Sequence, residues 1–166
     1  MSLTITPVND APVVVSANNT VTHAEDTGGT LTEDASAWFD DVDAGDSFTF
    51  RILSVSGSTV ISTPTISGGG AISYTVLPNA SSSTSIIVEV EDSGGLTGTA
   101  TLDVNVTPVN DVPFVAVPPA NVTELEDVGA VTVDLSNVFD DADIATTGDN
   151  LTLTLVSSPT LSLIHI

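Results

Sequence analysis

Carboxylates in this chain gather in groups: Asp10, the pair Glu25-Asp26, the run Asp40-Asp41-Val42-Asp43 with Asp46, and the pair Glu91-Asp92. Crowding them costs about 1 kcal/mol per pair at ~4 Å in water, and more where water is excluded. A bound cation removes that cost. Oxygen donors of Asp, Glu and Asn suit Ca²⁺, which takes about 6 to 8 of them in flexible geometry, whereas zinc prefers His or Cys and Mg²⁺ keeps more of its water. The other reading of such loops is a solubilising acidic surface. Against it, the Asp41-x-Asp43 spacing returns as Asp141-x-Asp143 at a matched position, which favours a cation. An EF-hand does not fit, because the twelfth position counted from Asp41 is Ile52 and from Asp141 is Thr152, where that loop needs a bidentate Glu. Ligands must therefore come from several loops.

The elements that position these groups repeat along the chain. Pro7-Val8-Asn9-Asp10-Ala11-Pro12 returns as Pro108-Val109-Asn110-Asp111-Val112-Pro113, Glu25-Asp26 as Glu126-Asp127, and Phe39-Asp40-Asp41 as Phe139-Asp140-Asp141. The period is close to 100 residues, the size of one small domain. Gly45-Asp46-Ser47 returns three residues later than that period demands, as Gly148-Asp149-Asn150, so an insertion falls in the acidic loop, as loops tolerate. Strands are expected over 47–54, 71–77, 84–91 and 96–107, all rich in β-branched residues. In the last of these Ala100, Leu102, Val104 and Val106 share one face, with polar residues on the other. Asp92-Ser93-Gly94-Gly95 reads as the hairpin turn between the last two strands. These patterns predict an all-β Greek-key sandwich of about seven strands. The expected domains are 1–8 as the last strand of a preceding repeat, 9–109 as a complete repeat, and 110–166 as a second repeat cut short. Residues 161–166, including His165, have no counterpart in the first repeat and resemble translated sequencing-adapter read-through.

Composition excludes several functions. With 22 acidic residues, the single basic Arg51 and a formal charge of -21, neither nucleic acid nor an anionic membrane surface is an expected partner. A hydrophobic share of 41% in alternating runs argues against disorder. The absence of cysteine excludes disulfides and thiolate metal sites. No signal peptide and no membrane-spanning run is read from the sequence.

The order Val-Asn-Asp-Ala-Pro, Glu-Asp-Thr-Gly-Gly-Thr, Asp-x-Asp-x-Gly-Asp and Val-Glu-Asp-Ser-Gly-Gly-Leu resembles the cadherin-like tandem repeats of large bacterial surface proteins and adhesins. The resemblance covers the whole chain. It implies an Ig-like seven-stranded sandwich joined end to end with its neighbours, with Ca²⁺ held at each junction. Carried over residue by residue, Glu25, Asn110, Asp111, Asp141 and Asp143 are the ligands of the junction between the two repeats, with Glu126 continuing the pattern beyond it. Asn9, Asp10, Asp41, Asp43 and Asp92 serve the junction before it. The chain departs from the fullest animal pattern in having Pro108 where the linker's first aspartate would stand, no Asn after Asp111, and no mid-repeat Asp-x-Glu, which implies one or two ions per junction at most.

The remaining side chains have ordinary expectations. Trp38 is read as a core or loop-anchoring residue, Tyr74 as strand packing, His23 as a surface histidine, and Arg51 as a partner of local carboxylates. Serines and threonines abound without a nucleophile elbow or catalytic triad. Paired carboxylates can hydrolyse glycosides, but these recur once per repeat, as structural ligands do. The expected function is a calcium-binding structural repeat of a long extracellular or cell-surface protein, an adhesin, whose partners are its neighbouring repeats and a cell-surface protein or glycan. The alternative is a glycan-binding sandwich, for which the seven aromatics are the test.

Overall fold

The structure is a computed structural model, and it describes residues 1–43, 45–125, 127–145, 147–154 and 156. Glu126, His165 and the whole of 161–166 lie outside the described residues. The chain divides into two units, Met1–Val109 and Asn110–Ile166.

The first unit is built from nine strands: β1 (Val13–Val14), β2 (Asn18–Ala24), β3 (Leu31–Asp34), β4 (Phe39–Asp40), β5 (Thr49–Gly57), β6 (Thr65–Ile66), β7 (Ala71–Tyr74), β8 (Ser82–Glu91) and β9 (Thr97–Thr107). Seven of them make two sheets, one in the order β2-β9-β8-β5 and one in the order β3-β7-β6, while β1 pairs with β4. β2 runs parallel to β9, and the other pairings are antiparallel. The chain alternates between the sheets, going from β2 to β3, back to β5, across to β6 and β7, and home through β8 and β9, which is the expected Greek-key sandwich.

Alternation decides which face is buried. Ala100, Leu102, Val104 and Val106 of β9 are all buried, as are Ile86, Val88 and Val90 of β8, and they form one core with Ile72 and Tyr74 of the opposite sheet. Trp38, closing a 3₁₀ turn at Ser36–Trp38, and Phe39 and Phe50 complete that core. The outer face is polar and paired in register: Ser85 donates to Asp103 Oδ1 at 2.5 Å, Ser83 to Asn105 Oδ1 at 2.7 Å, and Arg51 forms an ion pair with Glu89 directly across from it.

Residues 1–8 carry no strand and are exposed. Two expectations need correction. The strand expected over 71–77 stops at Tyr74, because the chain then changes partner: Ser62 donates to the Thr75 carbonyl, Leu77 to the Val60 carbonyl, and Ile61 bridges Val76. His23 is half-buried rather than a surface histidine. Its position on the inward side of β2 brings Nε2 within 3.0 Å of the Tyr74 hydroxyl, with the rings edge to face at 5.9 Å. Burial, and then the nearby charge of Glu33, push the Tyr74 hydroxyl up to about 12.

The second unit reproduces the opening of the first. Its strands β10 (Phe114–Val115) and β11 (Phe139–Asp140) pair antiparallel with Phe114 opposite Asp140, as Val13 stands opposite Asp40. Val138 donates to the Leu135 carbonyl and receives Ala116 and Val117, as Trp38 donates to Ala35 and receives Val15 and Ser16. Asp127 repeats the left-handed backbone of Asp26, with φ of 65° against 61°. The Ser36 hydroxyl and N–H hold the Asp34 carboxyl below its ordinary value, and the Ser136 N–H and hydroxyl do the same for Asp134. Matching hydrogen bonds at matched positions show that the sequence repeat is a structural repeat.

Candidate metal centre

The pairing of β1 with β4 lays the segment before β1 beside the loop that follows β4. A relay of backbone N–H groups donating to carboxylates then folds that loop on itself. Asp41 donates to Asp40 Oδ1 at 2.9 Å, Asp43 to Asp41 Oδ1 at 2.8 Å, and Asp10 to Asp43 Oδ2 at 2.7 Å. Asp46 donates its N–H to the Asp43 carbonyl and accepts the Ser93 hydroxyl on Oδ1. One carboxylate oxygen each from Asp41, Asp43 and Asp46 lies within 4.8 Å of the other two. Oδ2 of Asp41 and Oδ2 of Asp46 are buried and have no hydrogen-bond partner among the described residues.

The β8–β9 turn closes this end of the sandwich. Asp92 is buried, and its Oδ1 accepts the Leu96 N–H at 2.8 Å while Oδ2 accepts the Asn9 side-chain amide at 3.0 Å. Burial pushes the Asp92 carboxyl up. The bonds from Asn9 and from the Leu96, Gly94 and Gly95 N–H groups together outweigh it and hold the group below its ordinary value. A Cβ on Gly94 would stand 2.3 Å from the Asn9 side chain, and one on Gly98 would stand 2.9 Å from the Pro12 carbonyl oxygen. Glycine is thus what lets the linker lie on the hairpin.

Of the residues expected at the preceding junction, Asn9, Asp10, Asp41, Asp43 and Asp92 all stand at this one end of the first unit. Glu25 does not. It follows β2, where its N–H donates to the Thr107 carbonyl at 2.9 Å and its Oε1 accepts the Val109 N–H at 2.8 Å. Asp92 precedes the start of β9 and Thr107 ends it, so the two carboxylates are separated by an eleven-residue strand, roughly 35 Å. The second unit rebuilds the same relay: Asp141 donates to Asp140 Oδ1 at 2.9 Å, Asp143 to Asp141 Oδ1 at 2.9 Å, and Asp111 to Asp143 Oδ2 at 2.5 Å. Asn110 turns its amide onto the Asp111 carbonyl at 2.9 Å, as Asn9 does onto Asp10 at 3.2 Å.

Sequence reasoning assigned no ligand role to Asp46, although its counterpart Asp149 carried the signal. It had no means of finding Ser93. The donor set is all oxygen, contains buried carboxylate oxygens without partners, and has neither His nor Cys, so it fits a hard divalent cation such as Ca²⁺. Trp38, Phe39, Phe50 and Tyr74 are core residues, whereas Phe114 and Phe139 of the second unit are exposed. Among the described residues no helix is long and apolar enough to cross a membrane.

No curated protein matches the chain. Among solved structures it is similar to the ectodomain of human desmocollin-1, with 20% identity and a TM-score of 0.48, over 62% of this chain and 21% of that one. Extracellular cadherin domains 3–6 of protocadherin gamma B2 align with 21% identity and a TM-score of 0.49, over 62% and 24%. An endo-fucoidan hydrolase of glycoside hydrolase family 107 aligns with 19% identity and a TM-score of 0.44, over 60% and 14%. The chain thus spans about a quarter or less of the length of these structures. The sequence pattern of the bacterial Ig domain matches residues 9–105, more than half of the chain, and the chain belongs to that family.

Proposed function

We propose that this chain is a calcium-stiffened structural repeat of a long extracellular or cell-surface protein, an adhesin, in which bound ions fix successive repeats in line. The observation that carries this reading is the cluster of Asp41, Asp43 and Asp46, three oxygens within 4.8 Å of one another with two carboxylate oxygens buried and unpartnered. Left without a cation, such a group is self-repelling. Asp41, Asp43 and Asp46, with Asp10 and Asp92 beside them, would hold one ion, and Asn9 would tie the linker to the site through its amide. By the resemblance to cadherin-like repeats, Glu25, Asn110, Asp111, Asp141 and Asp143 would hold its equivalent at the junction between the repeats. The ion supplies charge neutralisation and shared coordination. The chain supplies the positions of the oxygens, which its backbone relay sets beforehand. No catalytic role is assigned, since the same carboxylates recur in each unit, and the adhesion target and the neighbouring repeats belong to the same proposal.

Extracellular calcium modules bind with Kd of roughly 10⁻⁴ to 10⁻³ M, so about 5 mM calcium stabilises the folded state by about 1–2 kcal/mol. For a domain of this size that raises Tm by several degrees, roughly 4–8 °C per kcal/mol. Calorimetry of the chain in calcium and in chelator reads the shift, with magnesium at equal ionic strength as the control. An identical Tm in calcium, magnesium and chelator would sink the reading.

A further inference from the structure

Five Asn-x-Ser/Thr triplets, the acceptor pattern for N-linked sugars, begin at Asn18, Asn79, Asn105, Asn121 and Asn150. In a chain so rich in Ser and Thr the triplet alone decides little, and the fold sorts the five. Asn105 stands inside β9 with its Oδ1 accepting the Ser83 hydroxyl at 2.7 Å. Asn150 turns its amide onto the Gly148 carbonyl at 3.3 Å and gives its backbone N–H to Asp149 Oδ1. Asn18 and its hydroxyl partner Thr20 are held in the β2–β9 ladder, opposite Thr101 and Asp103. Asn121 and Thr123 are exposed but lie outside any described turn. Asn79 differs from all four. Leu77 donates to the Val60 carbonyl at 2.9 Å and Ser82 opens β8, so residues 78–81 are tied at both ends. Pro78 fixes its own φ and Asn79 follows in the left-handed region at φ 54°, a Pro-Asn pair at the centre of a turn. Ala80 packs inward against the core, and Asn79 stands exposed at the tip. Among the described residues neither its amide nor the Ser81 hydroxyl has a hydrogen-bond partner.

We infer that Asn79 is an N-glycosylation site, whose co-substrate is a glycosyl diphosphate carried on a nucleoside or on a polyprenyl lipid. Asn79 Nδ2 attacks the anomeric carbon of the sugar, and a C–N bond forms as the C–O bond to the diphosphate breaks. The diphosphate departs with that electron pair, and the amide proton passes to a base of the transferase. No oxidant or reductant is needed. Ser81 is the positioning residue, because its hydroxyl two places on is the group read together with the amide. The turn supplies what the reaction demands, a free amide on backbone already bent away from the strand ladder, so a transferase reaches it without unpairing the sheet. The inference stands apart from the calcium reading.

The whole folded chain, in about 5 mM calcium chloride, is incubated in one arm with UDP-glucose and a soluble asparagine glucosyltransferase, and in the other with a polyprenyl-diphosphate oligosaccharide and a membrane oligosaccharyltransferase. Mass spectrometry of proteolytic fragments reads which asparagine gains sugar. Asn79 is expected to be modified in at least one arm, which names the carrier. Its rate should be at least about tenfold above that of Asn105, whose amide comes free only when β8 and β9 part. Asn79→Gln and Ser81→Ala should each lose the product with the parent's melting profile, since neither side chain holds the fold, and Ser81→Thr should keep it. Absence of sugar on Asn79 in both arms overturns the inference. So does equal or faster modification at Asn18, Asn105, Asn121 or Asn150, or undiminished modification of the Ser81→Ala chain.

Discussion

Asp43 does two structural jobs that need no metal, since its N–H donates to Asp41 and its Oδ2 accepts the Asp10 N–H. An Asp43→Asn replacement keeps an oxygen for the Asp10 bond and removes one charge from the cluster. In chelator its stability should lie within about 1 kcal/mol of the parent, because lost repulsion offsets the weakened bond. The calcium-induced rise in Tm should fall by more than half, as calorimetry would read directly. Asp92 is the buried carboxyl expected to contribute to the acid limb of stability. Its carboxyl is held below the ordinary value, near 3.9, so its contribution is complete above about pH 4 and is lost as the pH falls through the lowered folded value. Asp34 and Asp134 are lowered in the same direction but are exposed. Asp92→Asn should therefore narrow the gap in Tm between pH 7 and pH 3 relative to the parent, and an unchanged gap would place the acid sensitivity elsewhere.

At the scale of elements, β8 and β9 matter most, for they give seven of the sixteen buried core residues and their turn closes the acidic end. Leu102 is 1% exposed at the middle of β9, and Leu102→Ala should destabilise the first unit by about 2–5 kcal/mol, through lost burial and the cavity left behind. Gly98→Ala tests a different link. Its Cβ would meet the Pro12 carbonyl oxygen at 2.9 Å, a backbone atom that moves only with the linker, so a loss of about 1–3 kcal/mol is expected. The two variants separate by denaturation in calcium and in chelator: Leu102→Ala should leave the calcium increment intact, and Gly98→Ala should reduce it by displacing the segment that carries Asp10.

For the whole molecule the ruling fact is a formal charge of -21 with a single arginine, itself paired with Glu89. Self-repulsion of that size is screened by salt over a Debye length of about 10 Å at 0.1 M. In chelator, raising sodium chloride from about 0.01 M to about 0.5 M should raise Tm by several degrees, and saturating calcium should shrink that gain, because the ions already neutralise the densest clusters. A Tm that falls with sodium chloride in chelator would show that attraction, not repulsion, governs the surface.

The sequence alone determined the repeat, the β class and the buried face of β9, since these rest on period, on β-branched alternation and on turn residues, all of which are local. Strand count and turn spacing predicted the sandwich, resemblance in motif order implied the same, and the family match over residues 9–105 agrees with it. Tertiary structure decided what depends on distant segments meeting. It brought Ser93 to Asp46 and Asn9 to Asp92, made Gly94 and Gly98 obligatory under the linker, turned His23 inward onto Tyr74, and passed the chain after β7 from β6 to residues 60–62. It also placed Glu25 a full strand length from Asp92. Each is a contact across tens of residues, set by which strands pair and in what register, and no local pattern carries that information.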